Sequence, residues 1–338
     1  MRIGTSIGFG QRLAGISEMA RRQEELGYDD VWVVESCHDP FTMLGAITGA
    51  TSDVTLGTNI AVAFARNPMT LAYAANDVQL LSEGRFVLGL GSQIQAHITR
   101  RFSMPWSRPA ARMREMVTAV RAIWESWNTE TKVDFRGEFY QHTLMNPFFD
   151  PGPNPFGPPL IALAGVGPMM TEVAGETSDV FLCHSFTTEQ FLRETTIPAL
   201  ERGAVRAGRS PADISLVGQP FVATGANEDE LALATRTTRE RIAFYGSTPA
   251  YRPVLECHGW GDLQTELNVL SKQGRWVEMG DLVDDEILHT LAVVGEPEHL
   301  PGLVIERYGE LAQRVNVDVA TPDDLARWSG VLSQLHDA

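Results

Sequence analysis

The chain alternates short apolar runs with longer segments whose apolar residues recur at helical spacing, and residues 54–91 show this most clearly. Residues 54–60 are apolar and β-rich, and Asn67 precedes Pro68 in an order that commonly begins a helix. Residues 86–90 form a second apolar run, typical of a parallel strand covered on both faces. The segment therefore predicts a βαβ unit. One face of its helix carries Leu71, Ala74, Ala75, Val78 and Leu81.

Eight such apolar runs occur, and most are followed promptly by a helical pattern. The predicted strands cover residues 3–7, 30–34, 54–60, 86–90, 160–163, 180–183, 214–224 and 315–319. This α/β alternation favours a parallel sheet closed as a (β/α)8 TIM barrel, with an open doubly wound sheet as the alternative. Two stretches interrupt it, residues 128–158 after strand four and 246–291 after strand seven, and we expect insertions there. A final helix is expected to begin near Thr321, Pro322 and Asp324.

Composition narrows the class of protein. A hydrophobic content of 43% in 338 residues is enough for one large core. The net charge of −16 disfavours nucleic acid as a partner. The chain has no apolar run of about 18 residues that would predict a membrane span, and its first residues look like a strand rather than a signal peptide. With only three cysteines, these features predict a cytoplasmic protein.

The end of the fourth predicted strand superficially resembles a dinucleotide-binding fingerprint. Gly89 and Gly91 have the right spacing, but the third glycine of a G-x-G-x-x-G motif would stand at position 94, which is Ile94. No acidic residue follows a clear strand about 20 residues on. The sequence therefore disfavours a Rossmann nucleotide site.

In a barrel, ligand-binding groups come from the loops at the carboxyl ends of the strands. Glycines ahead of a helix suit a phosphate, because the backbone N–H groups at a helix N-terminus bind anions. An ordinary tight turn is the alternative at such a place. The predicted strand ends supply Glu35, Ser36, Cys37, His38, residues 59–66, Ser92, Gln93, His97, residues 165–167, His184 and Ser185.

The stretch LGTNIAVAFARNPMTLAYAANDVQLLSEGRFVLGLG, residues 56–91, resembles the most characteristic segment of the luciferase-like monooxygenase superfamily. Within that superfamily the chain is most similar to the branch that uses the deazaflavin coenzyme F420. The resemblance covers most of the chain. It implies a single barrel domain over residues 1–338, a bound F420, a small-molecule substrate and, from the habit of the family, a homodimer.

The resemblance also implies which residues bind the cofactor. In relatives the end of strand three carries a non-prolyl cis peptide behind the deazaflavin ring, and a trans strand end is the alternative here. A polar side chain after strand four and a turn after strand five contact the cofactor and its phosphate. For the residue after strand four, a surface position is the alternative. The matching residues are Asn59, Ile60, Ala61, His97, Gly165, Val166 and Gly167.

Candidate proton carriers follow strand two. Histidine is the side chain most often used for general acid–base catalysis, and in relatives a histidine of this loop approaches the reactive carbon of the deazaflavin. Relatives commonly show an Asp-His pair, whereas here Glu35 and Ser36 stand in that register and His38 follows. Glu35 either carries the proton itself or orients His38. Arg66 and Tyr251 are candidate substrate contacts, with surface ion pairing and loop packing as alternatives.

Every cysteine is followed by a histidine, at Cys37, Cys183 and Cys257. Adjacent side chains diverge in extended backbone, and no C-x-x-C or H-x-x-x-H spacing occurs, so we expect no metal site. The sequence thus favours an F420-dependent oxidoreductase acting on a small organic molecule. The alternatives are an FMN-dependent monooxygenase and a non-catalytic flavin- or F420-binding protein.

Overall fold

A closed parallel barrel is the centre of the fold. The computed structural model describes residues 1–10, 12–318 and 325–336. Its strands are β1 Arg2–Ile7, β2 Asp30–Val33, β3 Thr55–Thr58, β4 Ala61–Val62, β5 Phe86–Gly91, β6 Phe135–Arg136, β7 Gln141–His142, β8 Leu160–Ala164, β9 Val180–Leu182, β10 Ser215–Gly218, β11 Phe221–Ala223, β12 Ala292–Val294 and β13 Arg314–Asn316. One sheet has the order β3-β2-β1-β13-β10-β9-β8-β5-β4, and β3 also pairs with β5. These pairings close eight parallel strands into the (β/α)8 barrel that the sequence predicts.

Helices follow most of these strands. They are α1 Ile16–Leu26, α2 Pro40–Ile47, α3 Pro68–Leu81, α4 Pro109–Thr129, α5 Pro168–Thr177, α6 Glu189–Phe191, α7 Ile197–Arg206, α8 Glu228–Gly246, α9 Arg252–Glu256, α10 Gly261–Lys272, α11 Trp276–Asp281, α12 Asp285–Leu291, α13 Leu300–Tyr308 and α14 Leu325–His336. Two π-helices cover His97–Arg101 and Leu192–Thr196. Short 3-10 helices cover Thr48–Ala50, Ala63–Ala65, Pro211–Asp213, Pro249–Tyr251 and Pro297–His299.

The chain forms two compact units. The N-terminal unit comprises Thr5–Leu182 and Ala199–Ser215. In it β2 and β5 are buried along their whole length, as expected for strands covered on both faces. Helix α3 begins as predicted, with the Asn67 side chain accepting a hydrogen bond from Thr70 N–H and Pro68 in the first position.

The C-terminal unit comprises Met1–Gly4, Cys183–Pro198 and Leu216–Ala338. Helices α8 to α12 surround a second apolar core, and β11 pairs with β12 in a separate two-stranded sheet. Most of these helices lie in the insertion predicted after strand seven. The core of this unit includes Phe186, Phe221, Ile242, Val254, Leu267, Met279 and Leu288.

The prediction of one continuous strand over residues 214–224 is wrong. Residues 214–224 form two strands in different sheets, β10 in the barrel and β11 beside β12. Pro220 stands between them; it has no N–H to donate and restricts the backbone of Gln219. The third predicted strand, residues 54–60, ends early as β3 at Thr58, and the short β4 begins just beyond it at Ala61.

The remaining predicted elements fall close to their expected places. The insertion after strand four contains the antiparallel pair β6–β7 and a long loop. Pro198 follows the Leu192–Thr196 π-helix at the start of α7, where its missing N–H breaks the regular hydrogen-bond pattern. The predicted starting residues of the last helix, Thr321, Pro322 and Asp324, lie outside the described residues. Along the described chain, no helix combines the length and apolarity that crossing a membrane requires.

Candidate functional site

The predicted cofactor and catalytic residues gather at one edge of the N-terminal unit. There β2 pairs with β3, β3 with β5, β4 with β5, and β5 with β8, all in parallel. The segments that leave these strands therefore emerge at the same end of the sheet, where barrels place their ligands. These segments carry Glu35, His38, Asn59, Ile60, Ala61, Arg66, His97 and residues 165–167.

Glu35 joins the end of β2 to the segment that follows β3. Its carboxylate accepts hydrogen bonds from Arg66 Nη1 and from Val62 N–H, both at 2.7 Å. The Glu35 side chain is 6% exposed and that of Arg66 is 17% exposed, so the ion pair is largely shielded from water. Glu35 is thus anchored by two donors. Its predicted part in proton transfer stays a prediction.

Arg66 also binds Asp39, with Nη2 donating at 2.6 Å. Burial lowers the pKa of Arg66, but its hydrogen bonds with Glu35 and Asp39 outweigh burial and raise that pKa. Burial raises the pKa of Asp39, but hydrogen bonds from Thr42 N–H and Arg66 outweigh it and hold that pKa below its usual value. Arg66 therefore already faces two carboxylates, and its predicted contact with substrate stays a prediction.

His38 lies in a loop that is held in place by two hydrogen bonds of Ser36, one from its side chain and one to its carbonyl oxygen. Ser36 Oγ donates to Gly8 O at 2.9 Å, and Arg101 Nη2 donates to Ser36 O at 2.6 Å. The His38 side chain is half-buried, and within the described parts of the chain its ring makes no hydrogen bond or ion pair. The loop thus fixes the backbone and leaves the imidazole available to a ligand.

The peptide bond between Asn59 and Ile60 is cis, at the place that the family resemblance implies. Asn59 and Ile60 are half-buried, and Ala61 is buried in β4 opposite Leu90. Ile60 lies directly against Gly91, where an added Cβ would come within 2.8 Å of Ile60 Cγ1. A glycine at position 91 therefore allows the end of β5 to approach this segment.

The turn of residues 165–167 leads from β8 into α5, and no side chain of the described residues donates or accepts a capping hydrogen bond there. The N–H groups of Met170 and Thr171 donate to Gly167 O, while a Cβ added at Gly167 would meet nothing within 4 Å. Pro168 has no N–H, and no hydrogen bond of the described residues uses the N–H of Met169. A helix N-terminus with a donor left over in this way suits an anion. His97, by contrast, is an exposed residue of the His97–Arg101 π-helix, and its predicted cofactor contact stays a prediction.

Tyr251 lies in the C-terminal unit, away in sequence from the residues above. Its hydroxyl is 3.0 Å from Nε2 of His184, and the two rings pack with their centroids 4.6 Å apart. Burial lowers the pKa of His184 to about 4. His184 follows a predicted strand and is a candidate for that reason. No sequence pattern indicates that it pairs with a tyrosine 67 residues away.

The three cysteines are free, and they differ in exposure. Cys37 is exposed, Cys183 is buried, and Cys257 is half-buried. In the residues that the structure covers, no three histidine, cysteine or carboxylate side chains converge in an arrangement that would bind a metal ion.

A closed parallel barrel with polar groups at its strand ends defines an α/β barrel protein with a ligand-binding edge. The chain matches the family described as luciferase-like monooxygenase over residues 1–315. It belongs to that family. A protein of Mycobacterium tuberculosis whose name assigns no activity is 50% identical over 304 residues, which cover 90% of this chain and 89% of the other.

Two named relatives are reductases or dehydrogenases. The 5,10-methylenetetrahydromethanopterin reductase of Archaeoglobus fulgidus is 27% identical over 300 residues, covering 86% of this chain and 83% of its own. The F420-dependent glucose-6-phosphate dehydrogenase of Intrasporangium calvum is 32% identical over 209 residues, covering 57% of this chain and 60% of its own. The chain therefore resembles the F420-dependent branch of the family.

Solved structures confirm the fold. The coenzyme F420-dependent tetrahydromethanopterin reductase of Methanopyrus kandleri superposes with a TM-score of 0.81 at 19% identity, over 99% of this chain and 98% of that chain. The oxygenating constituent of 3,6-diketocamphane monooxygenase of Pseudomonas putida, in complex with FMN, gives a TM-score of 0.66 at 18% identity, over 99% of this chain and 96% of that chain. At these identities the likeness shows the barrel alone.

Proposed function

We propose that this protein is a coenzyme F420-dependent oxidoreductase acting on a small organic molecule. The observation that carries the proposal is the 32% identity to a dehydrogenase named as F420-dependent. Similarity to a methylenetetrahydromethanopterin reductase along 86% of this chain supports it. Both relatives are redox enzymes in name, so the likeness favours hydride chemistry over simple cofactor storage.

The residues at the strand ends fit such a cofactor. The uncapped N-terminus of α5, with open space at Gly167, would hold a phosphate group through backbone N–H donors. The half-buried Asn59 and Ile60 would lie behind the ring system, held in place because Ile60 packs on Gly91.

The protein's own groups would orient the reactants and handle a proton. A deazaflavin held at this edge would supply or accept the hydride. His38, half-buried and without a partner among the described residues, would hold or move a proton at an imidazole nitrogen. Arg66 and Glu35 would keep the neighbouring strand ends together, because their ion pair spans the segments after β2 and β3.

A second candidate is an FMN-dependent monooxygenase. The observation in its favour is the barrel of the Pseudomonas putida oxygenating constituent, which was solved in complex with FMN. The same helix N-terminus would serve the phosphate of either cofactor. Titration with both cofactors therefore decides between them.

A binding titration tests the proposal. F420 is titrated with the purified protein while quenching of deazaflavin fluorescence is followed, and FMN is titrated in parallel. We expect saturable binding of F420 and none of FMN. Binding of FMN alone would replace the proposed cofactor and leave the family assignment intact, and binding of neither would overturn the proposal.

The proposal extends to assembly. From the habit of the family we propose a homodimer, and from the cysteine content and the composition of the chain we propose that it works in the cytoplasm. Light scattering coupled to size-exclusion chromatography tests the dimer, and we expect twice the mass of the 37.2 kDa chain. A mass equal to one chain would contradict this part of the proposal without affecting the cofactor.

A further inference from the structure

An aromatic cluster in the C-terminal unit surrounds one histidine. The cluster consists of His184, Phe186, Tyr245 and Tyr251. The ring of His184 lies 4.8 Å from that of Tyr245 and 4.6 Å from that of Tyr251, centroid to centroid. Phe186 packs on Tyr251 at 5.4 Å. His184 stands two residues after β9, at the carboxyl end of a barrel strand, where ligand-binding groups are expected.

The backbone determines which nitrogen of His184 carries the proton. Phe186 N–H donates a hydrogen bond to His184 Nδ1 at 3.0 Å. A backbone amide can only donate, so Nδ1 must present its lone pair. Burial lowers the pKa of His184 to about 4, and the ring is therefore neutral at pH 7. The single proton of the neutral ring must then be on Nε2.

This tautomer sets the direction of the hydrogen bond with Tyr251. His184 Nε2–H donates to Tyr251 Oη over 3.0 Å, so the hydroxyl acts as acceptor in this contact. Burial raises the pKa of Tyr251, so the phenol keeps its own proton. Among the described residues, that hydroxyl makes no other hydrogen bond. Tyr251 O–H is therefore a donor held in place without an acceptor.

The pair cannot pass a proton along the same bond. His184 Nε2 already carries a proton, and Nδ1 is occupied by Phe186 N–H, so the imidazole has no free site to receive one from Tyr251. Tyr251 thus suits hydrogen bonding and orientation rather than proton relay.

The cluster also lacks a charge of its own. His184 and Tyr251 are both neutral at pH 7, because burial shifts the pKa of each away from the charged form. Among the described residues, Arg241 packs over Phe221 rather than over a ring of the cluster, and the Phe221 ring packs on Tyr245. An uncharged acceptor oxygen matches these surroundings better than a carboxylate or phosphate.

We propose that Tyr251 binds the substrate through its hydroxyl proton, that His184 positions it, and that the substrate presents an uncharged oxygen, a carbonyl or a hydroxyl. The inference rests on the proposed function for the existence of a substrate. The inference adds the chemical class of the substrate group, an uncharged oxygen, and names His184 as the residue that positions Tyr251. The ring faces around Tyr251 favour an apolar body next to that oxygen.

Two probes of nearly equal shape test the donor. Acetophenone carries a carbonyl oxygen, and α-methylstyrene has a methylene group in its place. Their dissociation constants are measured by calorimetry on the full chain without cofactor. We expect wild type to prefer acetophenone about tenfold, the effect of one well-made hydrogen bond. Tyr251→Phe should bind both probes equally. Its melting temperature should fall by a few degrees, because His184 Nε2–H loses its acceptor.

Variants of the positioning residue separate its role from simple packing. His184→Phe keeps a ring but removes the donor to Tyr251, and it should reduce the preference at least threefold. His184→Gln restores an N–H donor and should recover much of the preference. The ¹⁵N spectrum of wild type should show protonated Nε2 at His184 from pH 5 to 8. A protonated Nδ1, a preference unchanged in Tyr251→Phe, or no preference in wild type would each overturn the proposal.

These measurements are independent of F420. If F420 does not bind but acetophenone is preferred tenfold, the proposed cofactor is contradicted and the role of Tyr251 as donor is supported. If F420 binds but the preference for acetophenone is absent, the proposed function is supported and the role of Tyr251 as donor is contradicted.

Discussion

Arg66 is the residue on which the shielded charges near β2 depend. It donates to Glu35 at 2.7 Å and to Asp39 at 2.6 Å. Arg66→Met keeps much of the side-chain length but leaves the Glu35 carboxylate with Val62 N–H as its remaining partner among those described. We expect the free energy of unfolding to fall by about 2–4 kcal/mol, because a nearly buried carboxylate loses its counter-charge. Urea denaturation at pH 7 measures the change.

Arg202→Met is the matched control. Arg202 donates to Glu172 at 3.0 Å, but its side chain is 53% exposed and Glu172 keeps Arg206 as a second partner. Its loss should cost no more than about 0.5 kcal/mol. If Arg66→Met costs equally little, the Glu35 carboxylate does not depend on this ion pair.

The sequence predicts where helices begin and end from single residue types, but it does not predict contacts between residues far apart in the chain. Asn67 and Pro68 begin α3 as their residue types indicate, and Gly27 ends α1 in a left-handed conformation with φ of 103°. Glu35 and Arg66 are 31 positions apart, and no spacing pattern connects them. The sequence selected both as site candidates, but only the fold shows that they neutralise each other.

Thr58 joins β3 to β5 where their ladder stops. The regular pairing ends with Gly57 opposite Val87, and the Thr58 hydroxyl then donates to Gly89 O and accepts from Gly89 N–H. Thr58→Val preserves the shape and removes both hydrogen bonds in a buried place. We expect the free energy of unfolding to fall by about 2–4 kcal/mol, measured by urea denaturation, because two backbone groups lose their partner.

Thr177→Val is the control for the change of hydroxyl to methyl. Thr177 Oγ1 donates to Val173 O within α5, a carbonyl that the helix itself already engages. This variant should change stability by no more than about 0.5 kcal/mol. Equal effects of the two substitutions would show that the Gly89 backbone finds other partners.

The N-terminus of α5 offers a test of phosphate binding that leaves the fold intact. Gly167 has φ of −87° and ψ of 154°, which alanine adopts readily, and its added Cβ would meet none of the described residues within 4 Å. Gly167→Ala should cost at most about 0.5 kcal/mol of stability, as alanine is a poorer N-cap. It should weaken F420 binding about tenfold or more in the fluorescence titration, because the methyl group fills space next to the donors.

Gly302→Ala serves as its control. Gly302 lies in α13, and a Cβ added there also meets nothing within 4 Å. F420 binding should be unchanged in this variant. Unchanged binding in Gly167→Ala as well would place the phosphate elsewhere.

Among the elements, prediction failed where a strand pattern continued across a break. Residues 214–224 are apolar enough to suggest one strand, yet Pro220 separates β10 from β11. A proline inside an apolar run is itself the signal for such a break. The pairing of β11 with β12 joins segments about 70 residues apart, and apolar periodicity carries no information about partners.

The whole barrel was predictable because its parallel strands and covering helices repeat one local pattern. Each crossover places a helix outside and a buried strand inside, so alternation along the chain determines the architecture. The division into two compact units was not predictable from the sequence. It depends on packing among helices α8 to α12, which follows no repeated pattern.

The net charge of the whole molecule makes a prediction about binding kinetics. A formal charge of −16 repels an anionic cofactor over distances that salt controls, since the Debye length falls from about 30 Å at 0.01 M to about 8 Å at 0.15 M. We therefore expect the association rate constant of F420 to rise roughly two- to fivefold over this range of ionic strength. Stopped-flow fluorescence measures it, with uncharged deazariboflavin as the control whose rate should stay constant. A rate that falls with salt would mean that cations near the strand ends, rather than the net charge, dominate the field that the cofactor meets.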